Sequence, residues 1–169
     1  MDEFLTDNPS LKIRYAVPED ATYLTEWFSE PGILRWFPML DRREIDDAVR
    51  IVITYAKMQA TLTAEWDGKP CGMANLYLQP YKKLAHTCLF SIIVDQSYRG
   101  RGIGTALLNH LMKLAKEKFH IEILHLEVYQ GNPAKRLYDK VGFEEFGFQA
   151  HFIKDKGEYI GKHVMQKVL

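Results

Sequence analysis

The sequence has little of what would mark several specialised classes of protein. It has only two cysteines, Cys71 and Cys88, too few for a disulfide framework or a cysteine-rich metal site, so we expect two buried free thiols. It has no charge excess, because 22 Lys and Arg balance 22 Asp and Glu, which argues against nucleic acid as the main partner. Its six histidines include no pair at metal-ligand spacing, so no metal is expected.

The sequence also lacks features of membrane or multidomain proteins. No apolar run approaches the roughly 20 residues of a membrane helix, and the first ten residues, MDEFLTDNPS, are acidic and unlike a signal peptide. There are no repeats, linkers or low-complexity segments. We therefore expect a cytoplasmic protein without a membrane partner, in which residues 1–169 form a single domain.

Strand and helix patterns do alternate along the chain. Helices are predicted to start at Pro18 and at Asp41, to follow the glycine-rich segment near residue 102, and to span about 133–140. The segment 85–129 has the pattern of a β-α-β unit, whose two strands run parallel. The fold class is therefore α/β (α+β), with a mixed sheet of about seven strands and helices on both faces. Strands are predicted at 11–17, 60–66, 69–78, 85–94, 121–129, 143–154 and 158–168.

The loop between the first two helices is unusually aromatic. It contains Trp36 and Phe37 together with two prolines. Such a loop could form a wall of a substrate pocket, or its aromatic side chains could simply cover the core. The sequence leaves both interpretations open.

The most informative stretch is SIIVDQSYRGRGIGTALL, residues 91–108. Glycines at every second position let the backbone approach a ligand, and the helix start that follows offers unpaired N–H donors. This combination predicts an anion site, most often for phosphate. The segment lacks the Gly-Lys-Ser/Thr ending of a nucleotide-binding P-loop, and its position after several strands does not suit a dinucleotide-binding fold.

A second motif follows one helix and one strand later. Asn132 is followed by Ala134-Lys135-Arg136-Leu137-Tyr138 and then by Gly142-Phe143. Together with the glycine-rich loop and the order of elements, this motif resembles the GNAT family of N-acetyltransferases over nearly the whole chain. Asn132 precedes Tyr138 by six residues where the family pattern often has seven.

The resemblance implies a binding site for acetyl-coenzyme A (acetyl-CoA). In the family, the loop binds the pyrophosphate, and the strand before it splays from its neighbour, so that its free N–H and C=O groups bind the pantetheine arm and one amide stabilises the oxyanion. Asn132 and Tyr138 complete the implied site. The cofactor-binding residues would be Ile92, Ile93, Val94, Arg99, Gly100, Arg101, Gly102, Ile103, Gly104, Thr105, Asn132 and Tyr138.

The resemblance also implies two catalytic residues. Tyr138 would protonate the leaving thiolate, although the residue could instead be only a core aromatic. Glu127 would take the proton of the amine, although it could instead pair with His125 on the same face. His86 and Glu65 are alternative bases.

The expected function is therefore acetyl-CoA-dependent transfer of an acetyl group to a primary amine by direct attack, without a covalent enzyme intermediate. A non-catalytic sensor of acyl-CoA is the alternative. The sequence leaves open whether the acceptor is a small molecule, a peptide or a protein, and whether the protein forms a homodimer.

Overall fold

One mixed sheet runs through the chain, of which the computed structural model describes residues 3–169. The eight strands lie in the order β1-β2-β3-β4-β5-β6-β8-β7. They are β1 Glu3–Phe4, β2 Leu11–Tyr15, β3 Thr61–Trp66, β4 Lys69–Tyr77, β5 Thr87–Val94, β6 Ile123–Tyr129, β7 Glu144–Asp155 and β8 Glu158–Val168. The α-helices are α1 Ala21–Phe28, α2 Arg42–Lys57, α3 Ile103–Phe119 and α4 Lys135–Val141.

The seven predicted strands are all present, and the predicted mixed sheet is confirmed. The prediction missed β1, because two residues carry no periodic pattern; this strand pairs with β2 through Phe4 and Ile13. The predicted start of α2 is also correct. The Asp41 carboxylate accepts a hydrogen bond from the Glu44 N–H at 3.0 Å, so it caps the helix.

The strands β5 and β6 are parallel, as their β-α-β pattern predicts. They pair only where Thr87, Cys88 and Leu89 lie opposite Ile123, Leu124 and His125. Beyond Leu89 the two strands separate, although both continue for several residues. The centre of the sheet therefore contains an opening between the ends of β5 and β6.

Helices cover both faces of the sheet, each over its own hydrophobic core. On one face Leu107, Leu108 and Leu111 of α3 are completely buried, and they belong to the same apolar cluster as Leu124 of β6. On the other face residues of α1 and α2 pack together with Ile93 of β5. Both cores fix the position of β5, which supplies one edge of the opening.

The cysteines, possible metal ligands and helix lengths can each be compared with the expectations from the sequence. Cys71 and Cys88 are free and buried, and burial raises the pKa of each thiol to about 12. Residues 3–169 contain no cluster of three or more His, Cys, Asp and Glu that could hold a metal ion. None of the helices described is both long enough and apolar enough to span a membrane.

Candidate active site

The opening between β5 and β6 leads into a cleft of about 830 Å³. One end, which we call the cofactor end, is formed by the segment Arg99–Thr105 and by α4. The other, the acceptor end, lies on the face of the sheet that α1 and α2 cover. Every residue of the predicted site except Arg101 lines this cleft.

The free edge of β5 supplies backbone groups from alternate residues. The N–H of Asp95 donates to the C=O of Cys71 on β4 at 2.9 Å. Because hydrogen-bonding direction alternates along an antiparallel strand, Ile93 also bonds to β4, while Ile92 and Val94 direct their N–H and C=O groups towards β6. The expectation of three free residues is therefore corrected: both backbone groups of Ile92 are free, while Val94 keeps only a free N–H because its C=O accepts from Arg99 Nε at 3.2 Å.

The free edge of β6 follows the same alternation. The N–H of Gln130 donates to the C=O of Gly161 on β8 at 2.9 Å. Glu127 and Tyr129 therefore direct their backbone groups away from β8 and towards β5, although the C=O of Tyr129 accepts from the Asn132 N–H at 3.0 Å and only the Tyr129 N–H is unpaired. The opening is thus bordered by unpaired backbone groups on both sides, which an amide-rich ligand could bind.

The glycine-rich loop fits a phosphate group through its backbone. Gly100 and Gly102 have φ of 76° and 79°, in the left-handed region that favours glycine. Gly102 begins α3 without a side-chain cap, so the N–H groups of Ile103, Gly104 and Thr105 have no partner within the helix. Unpaired N–H donors at a helix start form an anion site, and the donor set therefore suits the pyrophosphate of acetyl-CoA.

The two arginines of the loop have different surroundings. The Nε of Arg99 donates to the C=O of Val94 at 3.2 Å, which ties the loop to the end of β5. Arg101 instead lies over the rings of Trp66 and Tyr98, 5.1 Å from each centroid, and lines a separate cavity of about 510 Å³. The expectation that Arg101 assists at the pyrophosphate is therefore not met, because two aromatic faces hold its guanidinium outside the cleft.

The Tyr138 side chain is part of the wall of the cleft. It is 8% exposed, and its ring meets those of Phe90 and Phe143 edge-on, with centroids 6.1 and 6.2 Å away. Burial raises the pKa of the phenol above its ordinary value, because the phenolate would lose its hydration. Tyr138 therefore stays protonated at neutral pH.

The side chain of Asn132 shapes the turn before α4. Its Oδ1 accepts a hydrogen bond from the N–H of Ala134 at 2.9 Å, and its own N–H donates to the C=O of Tyr129 at 3.0 Å. Asn132 thus orients the start of the helix that carries Tyr138 while also lining the cleft.

The Glu127 carboxylate lies in the cleft wall but not beside its expected neighbour. Its Oε1 accepts from Lys162 Nζ at 2.6 Å, and Lys162 Nζ also lies 3.7 Å from the centre of the Phe152 ring. His125 instead has its Nδ1 3.2 Å from Thr87 Oγ1, and burial lowers the pKa of this histidine. The alternative expectation, a Glu127 carboxylate paired with a neighbour such as His125, is met in kind, but the partner is Lys162 and not His125.

Neither of the alternative bases lines the cleft. Glu65 accepts a hydrogen bond from Arg14 Nε at 2.6 Å within a largely buried ion pair. The backbone C=O of His86 accepts from Glu122 N–H at the paired end of β5, which is the end opposite to the opening. Glu127 is the only Asp or Glu among the described residues that line the cleft.

The aromatic loop between α1 and α2 lines the acceptor end, which is one of its two expected roles, while Asn75 is a residue that the sequence did not reveal. Trp36 and Phe37 line the acceptor end, and Phe37 also packs edge-on against Phe28, with ring centroids 5.0 Å apart. Asn75 of β4 lines it as well, yet is 1% exposed. The only signal for Asn75 was a carboxamide inside the otherwise apolar run Met73–Tyr77, and a single sequence gives no means of judging such a signal.

Comparison with known proteins agrees with this geometry. Residues 21–143 match the Acetyltransferase (GNAT) family. The chain is 29% identical to the L-amino acid N-acetyltransferase AaaT of Escherichia coli over 63% of this chain and 67% of that protein. It is 43% identical to an N-alpha-acetyltransferase of Sulfurisphaera tokodaii, but over only half of each chain.

The fold has close structural counterparts. YncA of Salmonella typhimurium, solved with its cofactor acetyl-CoA, aligns over 95% of this chain and 94% of its own with a TM-score of 0.80 and 21% identity. That likeness concerns the fold. Because the family match covers well over half of the sequence, the protein belongs to the GNAT acetyltransferase family. The family and its N-acetyltransferase relatives bear out the predicted class, an acetyl-CoA-dependent N-acetyltransferase.

Proposed function

We propose that the protein transfers an acetyl group from acetyl-CoA directly to a primary amine, using Tyr138 as acid and Glu127 as base. The observation that carries this proposal is that both side chains line one cleft, between an anion-binding loop and a largely apolar acceptor end. Acetyl transfer needs a proton donor for the leaving thiolate and a proton acceptor for the amine. The cleft offers one of each.

The cofactor end would hold acetyl-CoA through backbone groups. The N–H groups at the start of α3 would bind the pyrophosphate, and the free groups of Ile92 and Val94 would bind the pantetheine amides. Acetyl-CoA supplies the activated acyl group. A backbone N–H on the free edge of β5 would stabilise the oxyanion, a type of contact with large effects on acyl transfer.

The proton-transfer roles follow from burial and charge. The Tyr138 phenol is protonated at neutral pH and would give its proton to the departing sulfur; burial raises its pKa, which keeps the proton in place but makes the phenol a weaker acid. Glu127 is the more exposed partner of its ion pair with Lys162. Its carboxylate would receive the proton of the amine through water. Both cysteines are buried with pKa values of about 12, which does not suit a covalent cysteine intermediate and supports direct attack.

Two kinds of acceptor come from the names of the relatives. One relative is an L-amino acid N-acetyltransferase and another an N-alpha-acetyltransferase, so a free amino acid and a peptide N-terminus are both acceptors to test. The predicted alternative, an acyl-CoA sensor, differs in having no turnover. The presence of both an acid and a base in the cleft favours the enzyme.

The test is release of coenzyme A thiol from acetyl-CoA by the purified protein, with a panel of amino acids, amino-acid amides, short peptides and polyamines. We expect steady release with at least one amine and acetylated product by mass spectrometry. Binding of acetyl-CoA without release with any amine would instead favour the sensor.

We also propose that residues 1–169 form a single domain and that the protein acts in the cytoplasm, as a monomer or a homodimer. The single continuous sheet supports the first proposal, and two free cysteines suit a reducing compartment. Light scattering after gel filtration would measure the mass in solution.

A further inference from the structure

A side-chain amide in the wall of the acceptor end has an unused hydrogen-bond donor. The Oδ1 of Asn75 accepts from Thr61 Oγ1 at 2.5 Å. Its Nδ2 is buried and has no hydrogen-bond partner among the residues described. A buried donor without a partner is rare in native proteins and costs free energy. Because Asn75 lines the cleft, a bound amine substrate could supply the atom that accepts a hydrogen bond from Asn75 Nδ2.

The surroundings of Asn75 favour an apolar group beside that partner. The wall of the acceptor end is formed mainly by hydrocarbon and aromatic side chains, and its two neighbouring hydroxyls, those of Tyr77 and Ser91, lie 3.1 Å from each other and hydrogen-bond together. An amine substrate that fills this space needs an apolar side chain and one atom that can accept a hydrogen bond from Asn75 Nδ2. The apolar lining residues include Phe28, Trp36, Phe37, Met39, Val52 and Phe152.

The charges that face the cleft restrict the acceptor further. In the described part of the chain, Arg99 is the only Lys, Arg or His that lines the cleft, and Glu127 is the only Asp or Glu. Arg99 lies at the cofactor end, bound to the C=O of Val94. Lys162, next to the cleft, already forms an ion pair with Glu127 at 2.6 Å, so a free carboxylate at the acceptor end would lie near Glu127 without a cation of its own. Burying an uncompensated charge is costly, whereas a neutral carbonyl carries no such cost.

We propose that the acceptor is an amine that carries an apolar side chain and a neutral carbonyl, and that Asn75 Nδ2 donates a hydrogen bond to this carbonyl. The first residue of a peptide or protein has this chemistry, as does an amino-acid amide, while a free amino acid does not. Asn75 is then a specificity-determining residue. This inference rests on the proposed acetyltransferase function and narrows the substrate of the same cleft.

Three amines with one side chain test the inference. Leucine amide, leucine and 3-methylbutylamine share the same hydrocarbon and primary amine. Leucine amide also has a neutral carbonyl, leucine has a carboxylate, and 3-methylbutylamine has neither group. Values of kcat/KM are expressed per unprotonated amine, because the neighbouring group changes the basicity of each compound. We expect leucine amide to exceed 3-methylbutylamine by about tenfold, the effect of one buried hydrogen bond, and leucine to be the poorest.

The variant Asn75→Ala tests the residue itself. We expect the ratio of kcat/KM for leucine amide over 3-methylbutylamine to fall from about tenfold to near one. Asn109→Ala, on the exposed surface of α3, is the matched control and should keep the wild-type ratio. If Asn75→Ala does not fold, as judged by thermal unfolding, Asn75→Ser provides the same comparison. The wild-type order of the three amines needs no variant.

Several results would overturn the inference. Leucine acetylated as well as leucine amide would remove the argument from charge, and a wild-type ratio retained in both Asn75 variants would remove the argument from the amide. Turnover of polyamines but of no leucine compound would reject the inference while leaving the proposed acetyltransferase intact. If none of the amines tested led to release of thiol from acetyl-CoA, the proposed function and this inference would both be rejected.

Discussion

The two ends of the cleft are built in different ways. The cofactor end is formed by the segment Arg99–Thr105 and by α4, and the groups proposed to bind there are mainly backbone N–H groups at the start of α3. The acceptor end is made by side chains from the α1–α2 loop, α2, β4, β5, β6 and β7. The first end depends on backbone conformation, the second on which side chains the fold brings together.

This difference explains what each end can recognise. Backbone amides bind phosphate whatever the neighbouring side chains are, so a loop of this kind can serve many proteins with one cofactor. Side chains from separate elements can change independently of that loop. Substitutions should therefore act by different means at the two ends, and three further experiments sharpen or break this contrast.

The largest loss of turnover is expected from a substitution of Tyr138, which lines the cleft. Tyr138→Phe keeps the ring that packs on Phe90 and Phe143 but removes the proton donor, so we expect kcat to fall about a hundredfold, within the usual range for general acids. Affinity for acetyl-CoA, measured by calorimetry, should stay within about twofold.

Tyr159→Phe is the control for that experiment, because Tyr159 is 57% exposed on β8. Unchanged turnover of Tyr138→Phe would exclude Tyr138 as the acid. Since the folded pKa of this phenol lies above its ordinary value, the wild-type enzyme should not lose activity through Tyr138 as the pH rises to about 10.

An intermediate effect is expected for a side chain of the acceptor end. Glu127→Gln preserves the shape of the residue but removes its capacity to accept a proton, so kcat/KM should fall more than about tenfold. Lys162→Met removes the ion-pair partner and keeps the carboxylate, and it should therefore cost less activity than Glu127→Gln.

Steady-state kinetics with one amine would measure both variants, together with Glu122→Gln as a control at an exposed position just before β6. If Lys162→Met were as damaging as Glu127→Gln, the ion pair would matter more than the base. Full activity of Glu127→Gln would leave the cleft without its proposed base.

The smallest effect is expected from a backbone change at the cofactor end. Gly102→Ala places a Cβ in open space at φ of 79°, so its cost of about 1 kcal/mol is conformational. We expect the loop to relax and KM for acetyl-CoA to rise about fivefold, with kcat less affected.

Gly157→Ala is a matched control, because Gly157 has φ of 84° and equally open surroundings in the β7–β8 turn. Thermal unfolding should show a similar loss of stability in both variants, while KM changes only in Gly102→Ala. An equal KM in both would mean that the conformation of the loop does not determine cofactor binding.

Much of the fold could be predicted because its signals are local. Alternating apolar residues identified seven strands, and Asp41 with Glu44 marked the start of α2, since each signal lies within a few residues. The strand β1 was too short to leave a pattern. The glycine-rich loop was recognisable for the same local reason, because its function depends on consecutive backbone groups.

The errors occurred where contacts join distant parts of the chain. The sequence placed Arg101 beside Arg99, but only the fold brings Trp66 close enough to hold its guanidinium outside the cleft. The sequence also suggested His125 as the partner of Glu127, two residues away, whereas the observed partner is Lys162 on the neighbouring strand β8. Side-chain pairing depends on strand order, which local patterns do not encode.

The sequence by itself determined the class of enzyme and the cofactor end, because those depend on a short glycine-rich segment and on elements with periodic patterns. The tertiary structure alone decided the acceptor end. It brought Asn75 and Glu127 into one cleft, paired Glu127 with Lys162, and left the Asn75 Nδ2 without a hydrogen-bond partner. These features arise from the pairing of strands far apart in the chain, so they exist only once the sheet has formed.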